Sequence, residues 1–368
     1  MRIGSIESRA ESIPLTRPYE IASQSADAVR IVFLRIRAAS GQEGFGAASP
    51  EPRVTGETFE ACRAALDPAA LDWLLGGDAR ELPRLLREAG LRMLEAPAAR
   101  AAVDMALYDL VARGLGIPVV DMLGRAHDAL PTSITLGIRT VEQSLEEAAE
   151  YVGRGFRLLK VKVGRSLDED VERLAKIRER VGAGVAIRAD ANEGYSIADA
   201  SRFFERTESL GVEFLEQPVP RGEFSAMASF PSSARARIAA DESLHDEKDA
   251  LRLAAPEPLC GSWNIKLMKC GGIRPALRIA AIAETAGVSL MWGCMDESVV
   301  SIAAALHAAF ASPATKYLDL DGSLDLSRDR FTGGFELKDG VMRSCPAPGL
   351  GVSVRDSPRP MPRRARSS

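Results

Sequence analysis

The chain has 368 residues, more than a single barrel of about 250 requires, so a second lobe is expected. Its 46% apolar and 27% charged residues describe a globule with core enough to fold unaided, and a net charge of −4 with both signs interspersed leaves no basic stripe for nucleic acid. Five cysteines, odd in number and without paired metal spacing, fit a reducing, cytoplasmic setting, and no run approaches the ~18 apolar residues of a membrane span.

The opening stretch MRIGSIESRAESIP is charged too early and too often for a secretory leader. Residues 28–39, AVRIVFLRIRAA, alternate large apolar residues with arginine, then turn at Ser40-Gly41 into a second short strand, which predicts an antiparallel hairpin. Helical patterns follow near 57–66, 80–88 and 97–113, the last closed by Gly114 and Gly116 with Pro118 beyond. An α+β lobe ending near Gly124-Arg125 results.

From Ser133 the pattern changes to strand and helix in alternation. SITLGI precedes VEQSLEEAAEYVGRG, and RLLKVKV precedes DVERLAKIRERVG, whose Val171, Leu174, Ile177 and Val181 share one helical face. Connections this long make the strands parallel. A charged residue closes each strand roughly every 25 to 30 positions: Lys162, Asp190, Glu216, Asp241, Lys266, then Asp296 and Asp321. That period predicts a (β/α)8-type parallel barrel with its chemistry at the strand C-termini. Beyond Asp321, LDLSRDRFTGGFELKDGVM reads as short strands returning to the first lobe, and SPRPMPRRARSS as a disordered basic tail.

Alternate residues of a barrel strand face inward, so Lys160 and Lys162 share the rim, each raising the cost of protonating the other. Asp190, Glu216 and Asp241 close the third, fourth and fifth strands and converge on one point, an all-oxygen set suited to Mg²⁺. Lys266 closes the sixth strand, across the rim from Lys162. A carbon acid between these lysines can lose a proton to one and regain it from the other, and the dianionic enolate of a carboxylate needs a metal to exist. His307, in SIAAALHAAF, reads as a core or helix-surface histidine and not a catalyst, and His245 as a loop residue.

The segments KVKVG, RADANEGY, EFLEQP, IAADES and NIKLMKCGGI resemble the muconate-lactonizing branch of the enolase superfamily, and AAVDMALYDL resembles that family's capping domain. The resemblance implies Lys162 and Lys266 as the acid/base pair, Lys160 as electrostatic helper, Asp190, Glu216 and Asp241 as Mg²⁺ ligands, and Lys269 as structural. The chain is accordingly expected to hold a capping domain over 1–125, a barrel over 126–321 and a segment over 322–354 that returns to the capping domain, with the resemblance ending before the tail over 355–368. The D-x-D of YLDLDG is similar to dipeptide epimerases, where such a pair grips the substrate ammonium, so Asp319 and Asp321 are expected to clamp a dipeptide N-terminus. Thr135 on the first barrel strand joins them as a substrate residue. Gln24 stands where enzymes acting on Ala-Glu carry an arginine, while Glu51 and Asp296 add negative charge at the mouth. Cationic or hydrophobic dipeptides are therefore the expected substrates, and a homo-oligomer the expected assembly. An N-acylamino acid racemase or o-succinylbenzoate synthase of the same superfamily is the alternative enzyme, and a non-catalytic structural or binding relative the alternative of another class.

Overall fold

The structure, a computed structural model, describes residues 1–20 and 25–355, so Gln24 and nearly all of the basic tail lie outside it. An antiparallel sheet of β1 (Ile3–Glu20), β2 (Ser25–Ala38) and β3 (Glu43–Ala48) opens the chain. β2 and β3 are the expected hairpin. β1 is an addition to it: its buried Ile3, Ile6, Ile13 and Leu15 are separated by uneven runs of small and charged residues, so no period stands out in the sequence.

Helices α1 (Pro52–Thr55), α2 (Phe59–Ala65), α3 (Leu82–Arg92), α4 (Pro97–Leu115) and α5 (Val119–Leu123) follow. α4 has no solvent face over most of its length: nearly every residue from Ala98 to Ala112 is buried. Such a helix lies between two layers. On one side β3 comes so close that a Cβ on Gly46 would sit 1.9 Å from the Ala102 carbonyl oxygen, an approach only glycine allows. On the other side lies the barrel.

After β4 (Leu130–Pro131), the barrel runs through β5 (Ile134–Leu136), α6 (Val141–Gly153), β6 (Leu158–Lys162), α7 (Leu167–Val181), β7 (Ala186–Asp190), α8 (Ile197–Thr207) and β8 (Val212–Glu216). It continues through α9 (Ser232–Arg235), β9 (Ile238–Ala240), α10 (Glu247–Ala254), β10 (Ser262–Ile265), α11 (Leu267–Cys270), α12 (Ile273–Ala286), β11 (Ser289–Gly293), α13 (Val299–Phe310) and β12 (Thr315–Asp319). The eight strands from β5 to β12 lie side by side in sequence order, all parallel. A parallel bridge from Thr132 to Leu318 draws the two edges together, so the barrel is nearly closed. Side-chain caps start the helices soon after the strands end: Thr140 with Gln143 on α6, Ser166 on α7, Ser196 on α8 and Asp246 on α10. The last strand ends at Asp319, two residues earlier than expected.

The chain then returns to the first lobe. β13 (Phe331–Gly333) pairs with β16 (Val352–Val354), and β14 (Phe335–Lys338) and β15 (Val341–Ser344) make a small sheet with β4. Phe331 packs against Phe33 and Phe45 at 5.5 and 5.1 Å between ring centroids, and Leu350 N–H donates to Asp109 on α4 at 2.7 Å. His307 is buried in α13, its Nδ1 accepting from Val120 N–H. Among the described residues, no helix is long and apolar enough to cross a membrane.

Candidate active site

Strand register brings the predicted residues together at one end of the barrel. Lys162 pairs across β6 and β7 with Asp190, and Asp190 pairs across β7 and β8 with Glu216. Asp241 and Lys266 are the first residues beyond β9 and β10. All three acids are fully buried, beneath a cavity of about 640 Å³ whose lining includes Lys160, Lys162 and Lys266. Lys162 Nζ donates to Asp190 at 2.7 Å and to Asn192 at 3.0 Å. Lys266 Nζ donates to Asp241 Oδ2 at 2.7 Å, and Lys269 holds the same carboxylate through Oδ1 as well as the backbone oxygens of Asp241 and Asn264. Lys269 thus sits in the wall, supporting Asp241.

Lys160 lies in the middle, its Nζ 2.9 Å from Asp190, 2.8 Å from Glu216 and 2.7 Å from Asp319. Mutual suppression of the two rim amines therefore does not describe Lys160. Burial opposes its charge, but the surrounding carboxylates, Asp190 foremost, outweigh that and raise it well above the usual lysine value. For Lys266 burial is likewise outweighed, by Asp241. The acids split in consequence. Burial is overcome by Lys160 and Lys162 at Asp190, which falls to about 2, and by Lys266 and Lys269 at Asp241, which falls well below the carboxylate range. Glu216 is pushed up to about 8 by burial and then by Asp190, and Glu242 up to about 7 by burial and then by Asp241.

Glu216 decides whether these residues suit a metal. Its Oε1 accepts from Asn264 at 2.7 Å, but Oε2, though close to the Lys160 charge, is buried with no aligned hydrogen bond. A buried carboxylate oxygen without a donor, beside two other carboxylates, suits a hard cation with oxygen ligands. Among the described residues no three acidic, histidine or cysteine side chains already surround one point as ligands do. The donor set fits Mg²⁺.

The two acids of YLDLDG have different partners. Asp319 turns inward to Lys160 and to Ser133 Oγ at 2.7 Å, and burial is outweighed by Lys160 so that its carboxyl stays below the usual range. Asp321, beyond the strand, accepts from Thr135 N–H at 2.8 Å and is pushed up to about 7 by burial and then by Asp319. Both line the cavity, with Thr135, Glu51 and Asp296. Glu51 has a second role: its side chain accepts from Arg53 N–H at 3.3 Å and caps α1. His245 is a loop residue whose Nε2 lies 3.0 Å from the Val54 carbonyl oxygen.

Several site residues had no role in the sequence reading. Asn192 joins Lys162 to Glu242, donating to Glu242 at 3.0 Å, and its place two residues after Asp190 in DANEGY was the available cue. Ser133 and Asn264, which orient Asp319 and Glu216, carry no such cue.

Residues 5–124 match the family of mandelate racemase / muconate lactonizing enzyme N-terminal domains, and residues 143–357 match the enolase C-terminal domain-like family. The chain belongs to the mandelate racemase / muconate lactonizing enzyme family of the enolase superfamily. Among members of this family, it is 55% identical over 356 residues to the L-Lys-D/L-Arg epimerase of Methylococcus capsulatus, covering 97% of this chain and 100% of the relative. It is 50% identical over 353 residues to the L-Lys-D/L-Arg epimerase of Desulforapulum autotrophicum, with 96% and 99% covered. The crystal structure of the Methylococcus capsulatus dipeptide epimerase with Mg and the dipeptide L-Arg-D-Lys superposes with a TM-score of 0.95, covering 96% of this chain and 100% of that one.

Proposed function

We propose that the protein is a Mg²⁺-dependent dipeptide epimerase that inverts the α-carbon of the C-terminal residue, with cationic dipeptides preferred and hydrophobic ones close behind. The observation that carries this reading is the shared cavity: Lys162 and Lys266, from strands four apart in an eight-stranded barrel, border one space together with the acids Glu51, Asp296 and Asp321. Asp190, Glu216 and Asp241 would hold the metal. When bound, Mg²⁺ supplies positive charge for the negative charge that grows on a substrate carboxylate as its α-proton leaves.

This chain's own groups do the rest. Lys162 removes or returns the α-proton on one face of the substrate, and Lys266 acts on the opposite face, so inversion needs one lysine as base and the other, protonated, as acid. Contact with Asp241 keeps Lys266 charged, as an acid requires. Lys160 adds a fixed buried charge beside the developing carboxylate charge. Asp321 faces the cavity beside the backbone N–H and the side chain of Thr135, both neutral donors, which suits the ammonium of a free dipeptide. An N-acylamino acid or a succinylbenzoate precursor offers no cation there, and a non-catalytic relative needs none of these groups.

Glu51 and Asp296 would attract a substrate lysine or arginine and repel a glutamate. The five cysteines are all free, which suits the cytoplasmic setting that belongs to this reading, as does a homo-oligomeric state to be checked by light scattering. The test is a panel of L-Lys-L-Arg, L-Leu-L-Leu, L-Ala-L-Glu and N-acetyl-L-Arg incubated with Mg²⁺ and followed by chiral chromatography. Epimerisation should fall in that order and stop with chelator; fastest turnover of L-Ala-L-Glu or of the N-acetyl compound would overturn the assignment.

A further inference from the structure

The motif AAVDMALYDL, so far given no part in the chemistry, lies on α4 against the loop that carries Lys266. Asp104 is 1% exposed and reaches out of the first lobe into the barrel. Its Oδ1 accepts from Ile273 N–H at 2.7 Å and its Oδ2 from Arg274 N–H at 3.2 Å, the first two amides of α12. One turn earlier on the same helix, Arg100 Nη2 donates to the Cys270 carbonyl at 3.1 Å. The contact is close on both sides. A Cβ on Gly271 would come within 2.1 Å of the Arg100 Nε, and one on Gly272 within 2.4 Å of the Asp104 Cβ.

The gripped segment is tied in turn to Lys266. Gly271 and Gly272 N–H both donate to the Leu267 carbonyl, at 2.8 and 3.0 Å, and Lys269 and Cys270 N–H donate to the carbonyl of Lys266 itself, at 3.0 and 3.2 Å. Lys266 is thus the first residue of a single tight turn whose far end is held by a side-chain pair from the other lobe. Lys162 is anchored differently. Its carbonyl accepts from Arg173 of α7; Arg173 pairs with Asp170 at 2.9 Å, and Asp170 accepts from Gly164 N–H at 2.8 Å. All of those groups are within the barrel.

We infer that Asp104 and Arg100 are positioning residues for Lys266 and not for Lys162, so that proton transfer on one face of the substrate depends on the seating of the first lobe while transfer on the other does not. The inference rests on the two-lysine reading above. Proton transfer is sensitive to placement, and a shift of about 1 Å in a reacting group costs on the order of a hundredfold in rate. Loosening the far end of the turn displaces the Lys266 backbone and leaves β6 untouched. A carboxylate that only stabilised the fold would slow both faces together.

The experiment follows loss of the α-hydrogen by proton NMR in D₂O with Mg²⁺, starting separately from L-Lys-L-Arg and L-Lys-D-Arg and reading initial rates. Lys162→Ala and Lys266→Ala first establish which diastereomer each lysine serves. Asp104→Asn and the half-buried Arg100→Gln, which leaves the carboxylate in place and guards against a folding failure, should then slow exchange at the Lys266 diastereomer by about 10- to 100-fold and at the other by less than about twofold. Asp170→Asn should show the reverse pattern. If the lysine variants behave as assigned but Asp104→Asn and Arg100→Gln slow both diastereomers equally, or neither, the positioning role is wrong. If the lysine variants themselves show no one-sided loss, the two-lysine reading fails first and takes the inference with it.

Discussion

Replacing Lys160 by methionine removes the charge that holds three buried carboxylates together. Its Nζ stands 2.7–2.9 Å from Asp190, Glu216 and Asp319, and the lysine is 3% exposed. At an effective dielectric of about 20, each such contact is worth about 6 kcal/mol of Coulomb energy, much of it offset by desolvation. Breaking a buried pair by removing one partner leaves a net loss of about 3–5 kcal/mol. Part of that loss is relieved by protonation, because Glu216 is already raised to about 8 with Lys160 in place. A carboxyl raised in the folded state contributes stability that is complete below its unfolded value, near 4.5, and lost as pH rises through the raised value. The Lys160→Met penalty should therefore be present near pH 5, where Asp190 and Asp319 are already ionised against Lys160, and grow to about 3–5 kcal/mol near pH 8 as Glu216 ionises, and Mg²⁺ should reduce it by supplying charge to the same oxygens. Urea unfolding with the buried Trp263 and Trp292 as fluorescence probes, in chelator and in Mg²⁺, measures this. Equal stability of variant and wild type at pH 8 in chelator would show that Lys160 does not hold the carboxylates.

Wild-type protein in chelator should itself lose stability between about pH 5 and 8, since burial, first among the causes, raises Glu216 to about 8 and Asp104, Glu242, Glu297 and Asp321 to about 7. Asp190, held at about 2, acts in the opposite sense only below about pH 4, and a flat thermal-unfolding profile from pH 5 to 8 would contradict the assigned burial. Asp321→Asn should lower kcat/KM for free dipeptides by about 10- to 100-fold while sparing N-acetylated substrates by comparison; equal losses would remove its ammonium role. Replacing Glu51 by glutamine and Asp296 by asparagine together should flatten a roughly tenfold preference for cationic over acidic dipeptides, without harming turnover of apolar ones. An unchanged order of preference would leave Glu51 as no more than the cap of α1.

The candidate site was legible in the sequence because a strand end repeats at a fixed interval and because the proposed proton transfer beside a metal needs unusual residues in register. Lys162, Asp190, Glu216, Asp241 and Lys266 stand out for that reason, and strand pairing places the first three side by side. What stayed hidden depends on distance rather than period. The inward turn of Asp319 to Lys160, which separates it from Asp321, follows from where β12 stops, and the residues alone do not mark that point. β1 is obscured by its irregular spacing of Ile3, Ile6, Ile13 and Leu15. The grip of Asp104 on α12 joins residues 169 positions apart, a relation that no local pattern encodes.

The most direct test of the central claim is α-hydrogen exchange in D₂O by the two single lysine variants, each given L-Lys-L-Arg and L-Lys-D-Arg with Mg²⁺. A two-lysine epimerase predicts that neither Lys162→Ala nor Lys266→Ala interconverts the diastereomers, while each still exchanges the one on the face of its remaining lysine. Near wild-type epimerisation by either variant, or loss of exchange on the same face in both, would contradict it.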